Sequence, residues 1–389
     1  MRFRYSAEES GKPKKIAVVY TRNEHGINFR DVENEAVYIV EKLRANGYET
    51  YIVGGAVRDL ILGKKPKDFD IVSEASPAKI KKVFRNARVI GHRFRLVHVY
   101  FGAKVFEVST FRSIKDGPTS NTFGTIEEDV KRRDFTLNAL FYDPLDRLVI
   151  DYVGGMKDIK AKKIRPIIDP RHIFVDDPVR MIRAVKYAVQ AAFSLPFTLK
   201  WKIRKQSGLL ASISPSRLTE EIFKILHSSC AGDIVASLDK MGLYRYLQPA
   251  AAELFKTRPG FRAQYLKTMA ALNQKGFKNL PGEAMAGLVR DYLEENADWL
   301  GDDKDELLRP PSGRYKEAFN MARKFVLPMN PPRVELEHAV RLLFAEHGVN
   351  VKKLRFGGGD GRAFDSEGEV KKRRHRQRRR AGPPKEPAT

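Results

Sequence analysis

The sequence is poor in cysteine, in histidine clusters, in long apolar runs and in acid. One cysteine among 389 residues, Cys230, excludes an intramolecular disulfide and a cysteine zinc site. That usage suits a reducing compartment, and Cys230 itself reads as a small core residue. No stretch of about 20 apolar residues occurs, so no membrane-spanning helix is expected. The opening stretch, MRFRYSAEESGKPKK, lacks the apolar segment of a secretory signal. The eight histidines are scattered without a clear His-Asp pair, which argues against a metal-dependent phosphohydrolase. No internal repeat is visible. Acid is the largest deficit: 48 Asp and Glu stand against 72 Lys and Arg, a net charge of +24. Residues 369–389 carry +7 of this, which leaves +17 on the remainder. The folded part is therefore basic in its own right, and a polyanion is the partner such a charge favours.

Hydrophobic residues make up 42% of the chain, enough for two or three domains with real cores. Residues 1–15 are polar and read as frayed, with Ile16–Tyr20 a short strand or docking arm. Residues 32–46 read as an amphipathic helix with Val37, Val40 and Leu43 on one face, stopped by Gly47. Strands are expected over Glu49–Val53, Phe69–Val72, Phe94–Phe101 and Lys104–Ser109, with Gly102 in a hairpin turn. Residues 56–62 suit one or two helical turns. Ser76-Pro77 reads as an N-cap and first helical residue. Residues 112–124 have the composition of a mobile loop, and Thr125 with Glu128 fits a capping box. Beyond Asp177-Pro178 the pattern is almost wholly helical to about residue 347, broken at 308–313 and 328–332. The last residues are Gly- and Asp-rich, then basic, then Pro-rich, and read as disordered. The coarse picture is a small α/β domain to about residue 150 and a helical body after it.

The chemistry-bearing stretch is GGAVRDLILGKKPKDFD, Gly54 to Asp70. Gly54 and Gly55 follow a strand and precede a helix; without Cβ atoms the backbone can approach a phosphate and offer N–H groups. Arg58, one helical turn in, can add a charged fork. Asp68 and Asp70 are two apart, so on a strand both would point to one face. Two such carboxylates repel unless a cation sits between them, and Mg²⁺, which prefers hard oxygen ligands and keeps room for phosphate, fits. Taken singly, an Asp-x-Asp is usually a solvated surface pair and a Gly-Gly usually a turn. Together they are an ordered set of parts for a nucleoside triphosphate.

This stretch resembles the signature of the polymerase-beta-type nucleotidyltransferases, and more narrowly the class II group that holds bacterial tRNA CCA-adding enzymes and bacterial poly(A) polymerases. Arg132-Arg133-Asp134-Phe135-Thr136-Leu137-Asn138 is similar to that group's second motif. Asp176-Asp177-Pro178-Val179-Arg180-Met181-Ile182-Arg183 is similar to its third, with Asp176 where Glu is usual. The resemblance covers about residues 35–255. It implies an α+β nucleotidyltransferase head domain with a mixed β-sheet, followed by an all-α neck, body and tail. It further implies Asp68 and Asp70 as ligands for two Mg²⁺ (or Mn²⁺) ions, ATP as substrate and RNA 3′ ends as acceptor, in the cytoplasm of a bacterium. Arg132 and Arg133 would meet the triphosphate. Asp134 would accept from a ribose hydroxyl or orient those arginines, and the plain alternative is a surface ion cluster. Asp177 would cap the next helix. With Arg180, and Arg183 on the same face, it would stand at the base of the incoming nucleotide. A third metal carboxylate is expected from Glu107 on a neighbouring strand or from Asp134; an exposed strand Glu is the bland reading of Glu107.

The catalytic motifs do not separate poly(A) synthesis from CCA addition. The segments Val89–Val99, Leu62–Asp70, Phe123–Asp129 and Asp151–Asp158 resemble the poly(A) polymerases, with His92 where Arg or Lys is usual. A basic tail, Lys371, Lys372, Arg373, Arg374, Arg376, Arg378, Arg379 and Arg380, fits that subgroup and would hold RNA phosphates without reading bases; a solubility tail is the alternative. RNA-decay proteins are conceivable partners. The expected boundaries are an N-terminal arm over 1–30, partly disordered, and a head over 31–165. A neck over 166–256, a body over 257–355 and a disordered basic tail over 356–389 follow. An inactive basic RNA-binding protein is the reading from another class; the intact Asp68, Asp70, Arg132 and Arg133 speak against it.

Overall fold

The structure, a computed structural model, describes residues 2–7, 13–91, 96–113, 122–272, 280–300 and 311–351. The basic run from Lys371 to Arg380 lies outside the described residues, as do the centre of the loop before Thr125 and the segment 92–95.

The head is built on one mixed sheet. Its strands are β1 (Arg2–Ala7), β2 (Pro13–Tyr20), β3 (Thr50–Val53), β4 (Asp70–Ser73), β5 (Ala87–Ile90), β6 (Leu96–Phe101), β7 (Lys104–Thr110), β8 (Leu140–Asp143) and β9 (Leu148–Asp151). They lie in the order β1-β2-β9-β8-β3-β4-β7-β6-β5. Neighbours are antiparallel except β4 and β7, which run parallel with Asp70 opposite Glu107. Central strands are buried on both sides, and alternation sorts their residues. Ile52 and Ile71 join the main core, while Tyr51, Val53 and Val72 join a second cluster on the other face. The helix Asn34–Ala45 covers the first face with Ala36, Ile39, Val40 and Leu43. The helix Ile126–Lys131 covers part of the second with Ile126 and Val130. That second face carries Asp70 and Glu107.

Several elements differ from the sequence reading. The polar start is not frayed at Arg2–Ala7, which pairs with β2 as the sheet's outer strand; an edge strand buries little, so its residues lack an apolar signature. Arg4 ties it down through Glu49 at 2.5 Å and Tyr152 at 3.0 Å. The short strands β5, β8 and β9 carried no signal that separated them from their surroundings. The capping box is present with both halves, Thr125 to the Glu128 amide at 3.3 Å and Glu128 back to the Thr125 amide at 3.1 Å. Helices run from Val179–Ala191 to Arg333–Glu346. None of the described helices is long and apolar enough to cross a membrane.

Candidate active site

Gly54 ends β3 in a backbone conformation with φ of +74°, which favours glycine, and the helix Gly55–Ile61 starts at once. A Cβ at Gly54 would stand 3.5 Å from the Asp70 carboxylate, so the turn and the carboxylate share one wall of a cleft. The strand begins at Asp70. Asp68 therefore precedes it, and the expected pair of carboxylates alternating along one strand is corrected: the in-register neighbour of Asp70 is Glu107 on β7. Glu107 is half exposed, with the His98 ring nitrogen 3.4 Å away. Crowding by protein raises the Asp70 carboxyl from the ordinary 3.8 to about 6, and the Glu107 charge adds to this. Arg133 opposes, and Asp68 adds a smaller push. The Asp70 side chain is open to solvent at the cleft mouth, while protein crowds the strand behind it.

The opposite wall is cationic. The second motif follows the helix Ile126–Lys131 and brings Arg132, Arg133 and Asp134 to the same 330 Å³ cleft as Gly54, Gly55 and Asp70. Arg133 is held: it donates to Asp129 at 2.8 and 3.0 Å and to the Asn138 carbonyl at 3.2 Å. Arg132 is not held in the same way. Its Nη1 is buried without a hydrogen-bond partner. Burial, then Arg112, then Arg133 and Arg180 bring its pKa down to about 10 against the pull of Asp129. A buried guanidinium facing like charges is costly unless an anion arrives.

Arg58 does not present an open fork. It is buried, donates to Asp59 at 2.8 Å and to the Asn138 side chain at 3.0 Å, and lies over Tyr187. It braces the Gly55–Ile61 helix against the second motif. Asp134 is also engaged: one oxygen accepts from Arg180 at 2.7 Å and the other from Arg183 at 3.0 Å. Of the two expected third carboxylates, Glu107 adjoins Asp70 while Asp134 anchors the third motif. Asp177 accepts from the Val179 amide at 3.3 Å, as a capping residue does, with the helix assigned from Val179. Arg217 holds its carboxylate at 2.9 Å.

The segment Asp151–Asp158 locks the second motif from behind. Asp151 accepts from the amides of Val153, Gly154, Gly155 and Met156. A Cβ on Gly155 would collide with the Thr136 carbonyl, and Thr136 donates to Asp158 at 2.6 Å.

A second, larger cleft of 960 Å³ is lined by Arg58 and Asp59 of the Gly55–Ile61 helix. Asp68 lines it with Lys64, Lys65, Lys67 and Lys224. Cys230 lines it too; half-buried, beside the Ser228 hydroxyl at 3.3 Å, it packs against the edge of the main core rather than inside it. Glu221 was missed from the sequence. It is buried and meets Lys186 at 2.7 Å, Arg183 at 3.0 Å and Lys224 at 3.5 Å. Burial pushes its pKa up, but these cations outweigh that and hold it at about 2. Lys186 is held below an ordinary lysine, because burial outweighs its share of one carboxylate divided among three cations. Glu221 is ionised, because it faces all three cations. Its signal was a glutamate inside the apolar stripe of Leu218, Ile222 and Ile225.

Among the described residues no three His, Cys, Asp or Glu side chains form a ready metal cage. Asp70 and Glu107, in register on neighbouring strands, offer hard carboxylate oxygens of the kind Mg²⁺ takes alongside water and phosphate.

Residues 50–165 match the family described as "Poly A polymerase head domain", and residues 192–255 match "Probable RNA and SrmB- binding site of polymerase A". The chain is 40% identical over 270 residues to "Poly(A) polymerase I" of Escherichia coli O6:H1, covering 64% of this chain and 58% of that protein. It is 39% identical over 225 residues to "CCA-adding enzyme" of Geobacillus thermodenitrificans, covering 56% of this chain and 55% of that one. The chain thus spans under two thirds of the length of these relatives. Among solved structures, the Bacillus stearothermophilus CCA-adding enzyme in complex with CTP matches with a TM-score of 0.52 and 27% identity over 80% of this chain and 82% of that one.

Proposed function

From a head domain and an adjoining RNA-binding segment that both belong to the poly A polymerase family, we infer that the chain is a nucleotidyltransferase that extends RNA 3′ ends with AMP. The observation that carries the reading is one cleft holding two unsatisfied groups of opposite sign. Asp70 has a raised carboxyl pKa and Arg132 has a buried guanidinium nitrogen without a partner. A magnesium-bound triphosphate relieves both.

The RNA 3′-hydroxyl attacks the α-phosphate of ATP, the α–β bond breaks and pyrophosphate leaves. Arg132 receives the triphosphate, with Arg133 beside it and Gly54 and Gly55 leaving room for the phosphates. Asp70, Asp68 and Glu107 would hold two Mg²⁺, or Mn²⁺, which when bound lower the pKa of the attacking hydroxyl and offset the charge of the leaving pyrophosphate. Asp134 acts by orienting Arg180 and Arg183. Asp177 and Arg180, steadied by Arg217 and Asp134, face the base. The lysine-lined cleft next to Asp68 takes the RNA end, so the two substrates meet at the carboxylates. The tail from Lys371 to Arg380 adds non-specific hold on the RNA backbone. We assign the work to the cytoplasm of a bacterium.

Poly(A) synthesis is favoured over CCA addition because the match to poly(A) polymerase I runs over 270 residues against 225. The segments around Gly91 and Leu62–Asp70 also resemble that subgroup. The test is incubation with an unstructured RNA and each nucleotide separately. Long tails from ATP alone support the assignment. Two C and one A on tRNA ends alone would transfer it to the second reading. RNA binding without any incorporation would reduce the chain to a binding protein.

A further inference from the structure

The helix Phe197–Gln206 buries Leu199 and Ile203 and turns an unusual face to solvent. Phe197 is 81% exposed and Trp201 is 55% exposed. They stand four residues apart, and Lys205, four further on, lies over the Trp201 ring at 5.0 Å. The three form one stripe. The helix also carries Lys200, Lys202 and Arg204 and has no acidic residue. Under the aromatics lies a 720 Å³ hollow floored by Ile164, Pro166 and Pro196 and rimmed by Lys163, Arg165 and Lys202. The acid in its lining, Asp158, is engaged by Arg165 at 2.8 Å and Thr136 at 2.6 Å. Large exposed aromatics mark contact surfaces, and a cationic rim selects a polyanion over an ordinary protein face.

The hollow is fixed to the catalytic wall. The Ile167 amide donates to the Asp134 carbonyl at 3.2 Å, the Thr136 amide to the Arg165 carbonyl at 3.0 Å, and the Ile164 amide to Ser194 at 3.0 Å. Its floor therefore backs the second motif, away from the two clefts flanking Asp70 and Asp68.

We propose that Phe197 and Trp201 form a stacking platform for single-stranded RNA upstream of the 3′ end, with Lys163, Lys202 and Lys205 on the phosphates. This rests on the reading that the chain acts on RNA and deepens it: both aromatics lie within residues 192–255, which match a probable RNA-binding family, and the inference supplies the residues and the stacking mode. Four residues of helix rise about 6 Å, so the two rings stand about one turn apart on one face, each open to a base. Stacking is tolerant of sequence because every base has a π-face. The platform would hold the body of the strand while its end turns over in the cleft.

The chain has two tryptophans, Trp201 and the buried Trp299. In a Trp299→Phe variant, Trp201 alone reports; if that variant misfolds, the difference between the intact chain and Trp201→Leu gives the same signal. Titration with long oligoadenylate should quench Trp201 emission saturably. Phe197→Ala with Trp201→Ala should weaken binding of the long oligonucleotide by about tenfold or more. Its KM should rise, while the KM for ATP and the kcat on a trinucleotide primer stay unchanged. Emission unmoved at saturation, or unchanged RNA affinity in the double variant, would overturn the platform and leave the face to a protein partner. Quenching without incorporation into the trinucleotide would instead count against the proposed function and leave the platform standing.

Discussion

Two clusters of charge, one in the neck and one in the head, differ in kind. In the neck, Glu221 is surrounded by Lys186, Arg183 and Lys224, and its carboxyl is held at about 2. In the head, Asp70 faces Glu107 and Asp68, and its carboxyl is raised to about 6, while Arg132 faces Arg112 and Arg133. The first set is complete and serves the fold. The second is incomplete, and under the proposed function a polyphosphate with its cations would complete it. The difference separates a structural ion knot from a binding site without reference to motifs.

The comparison breaks first at Glu221. Glu221→Ala leaves Lys186 buried without its carboxylate and should cost about 3–5 kcal/mol of stability, read from denaturant unfolding. The pH dependence has a defined sign. The folded value of about 2 lies below the ordinary 4.5, so Glu221 contributes stability above pH 4.5. That contribution should fade as the pH falls from 4.5 toward 2, and the gap between the parent and Glu221→Ala should narrow with it.

The next effect belongs to Arg132. Arg132→Met removes a charge that has one buried nitrogen without a hydrogen bond and is crowded by Arg112, so the unfolding midpoint should hold or rise. KM for ATP should climb by roughly ten- to a hundredfold, from the loss of about 1.5–3 kcal/mol of charged hydrogen bonding. A fall in stability with KM unchanged would place Arg132 among the structural charges.

Asp70→Asn gives the opposite stability response to Glu221. A carboxyl raised from 3.8 to about 6 binds its proton more tightly when folded, so ionising it works against the fold. The penalty grows from pH 3.8 and is complete above about pH 6. The variant should therefore melt higher than the parent at neutral pH without magnesium, and equally at the acid end, by differential scanning fluorimetry. The smallest effect concerns the tail. Removing residues 369–389 should leave KM for ATP unchanged and lower the salt slope of RNA affinity by about 3 units, if half of its basic residues engage at about 0.7 each.

Much of this was legible. The glycine turn, Asp70 and the arginines of the second motif are local spacings, and the cleft brings them together. Glu107 was one of two candidates, offered by its place on a neighbouring strand, and the register puts it opposite Asp70. What failed was what depends on distant neighbours. Asp134 offered itself as a metal ligand because its partners, Arg180 and Arg183, are 46 and 49 residues away. Arg58 looked free because Asn138, 80 residues on, is invisible to a local pattern. Asp68 was given the wrong setting by one strand boundary. β1 went unread because an outer strand needs no apolar alternation.

The most direct test of the account is single-turnover transfer of labelled AMP from ATP to an RNA 3′ end, comparing the parent with Asp70→Asn and Glu107→Gln at equal folded concentration. The account predicts transfer with pyrophosphate release by the parent, a loss of about a thousandfold or more in Asp70→Asn, and a clear but smaller loss in Glu107→Gln, both variants folded. Near-parental transfer by Asp70→Asn would contradict it, because the strain at that carboxylate would then have no catalytic purpose.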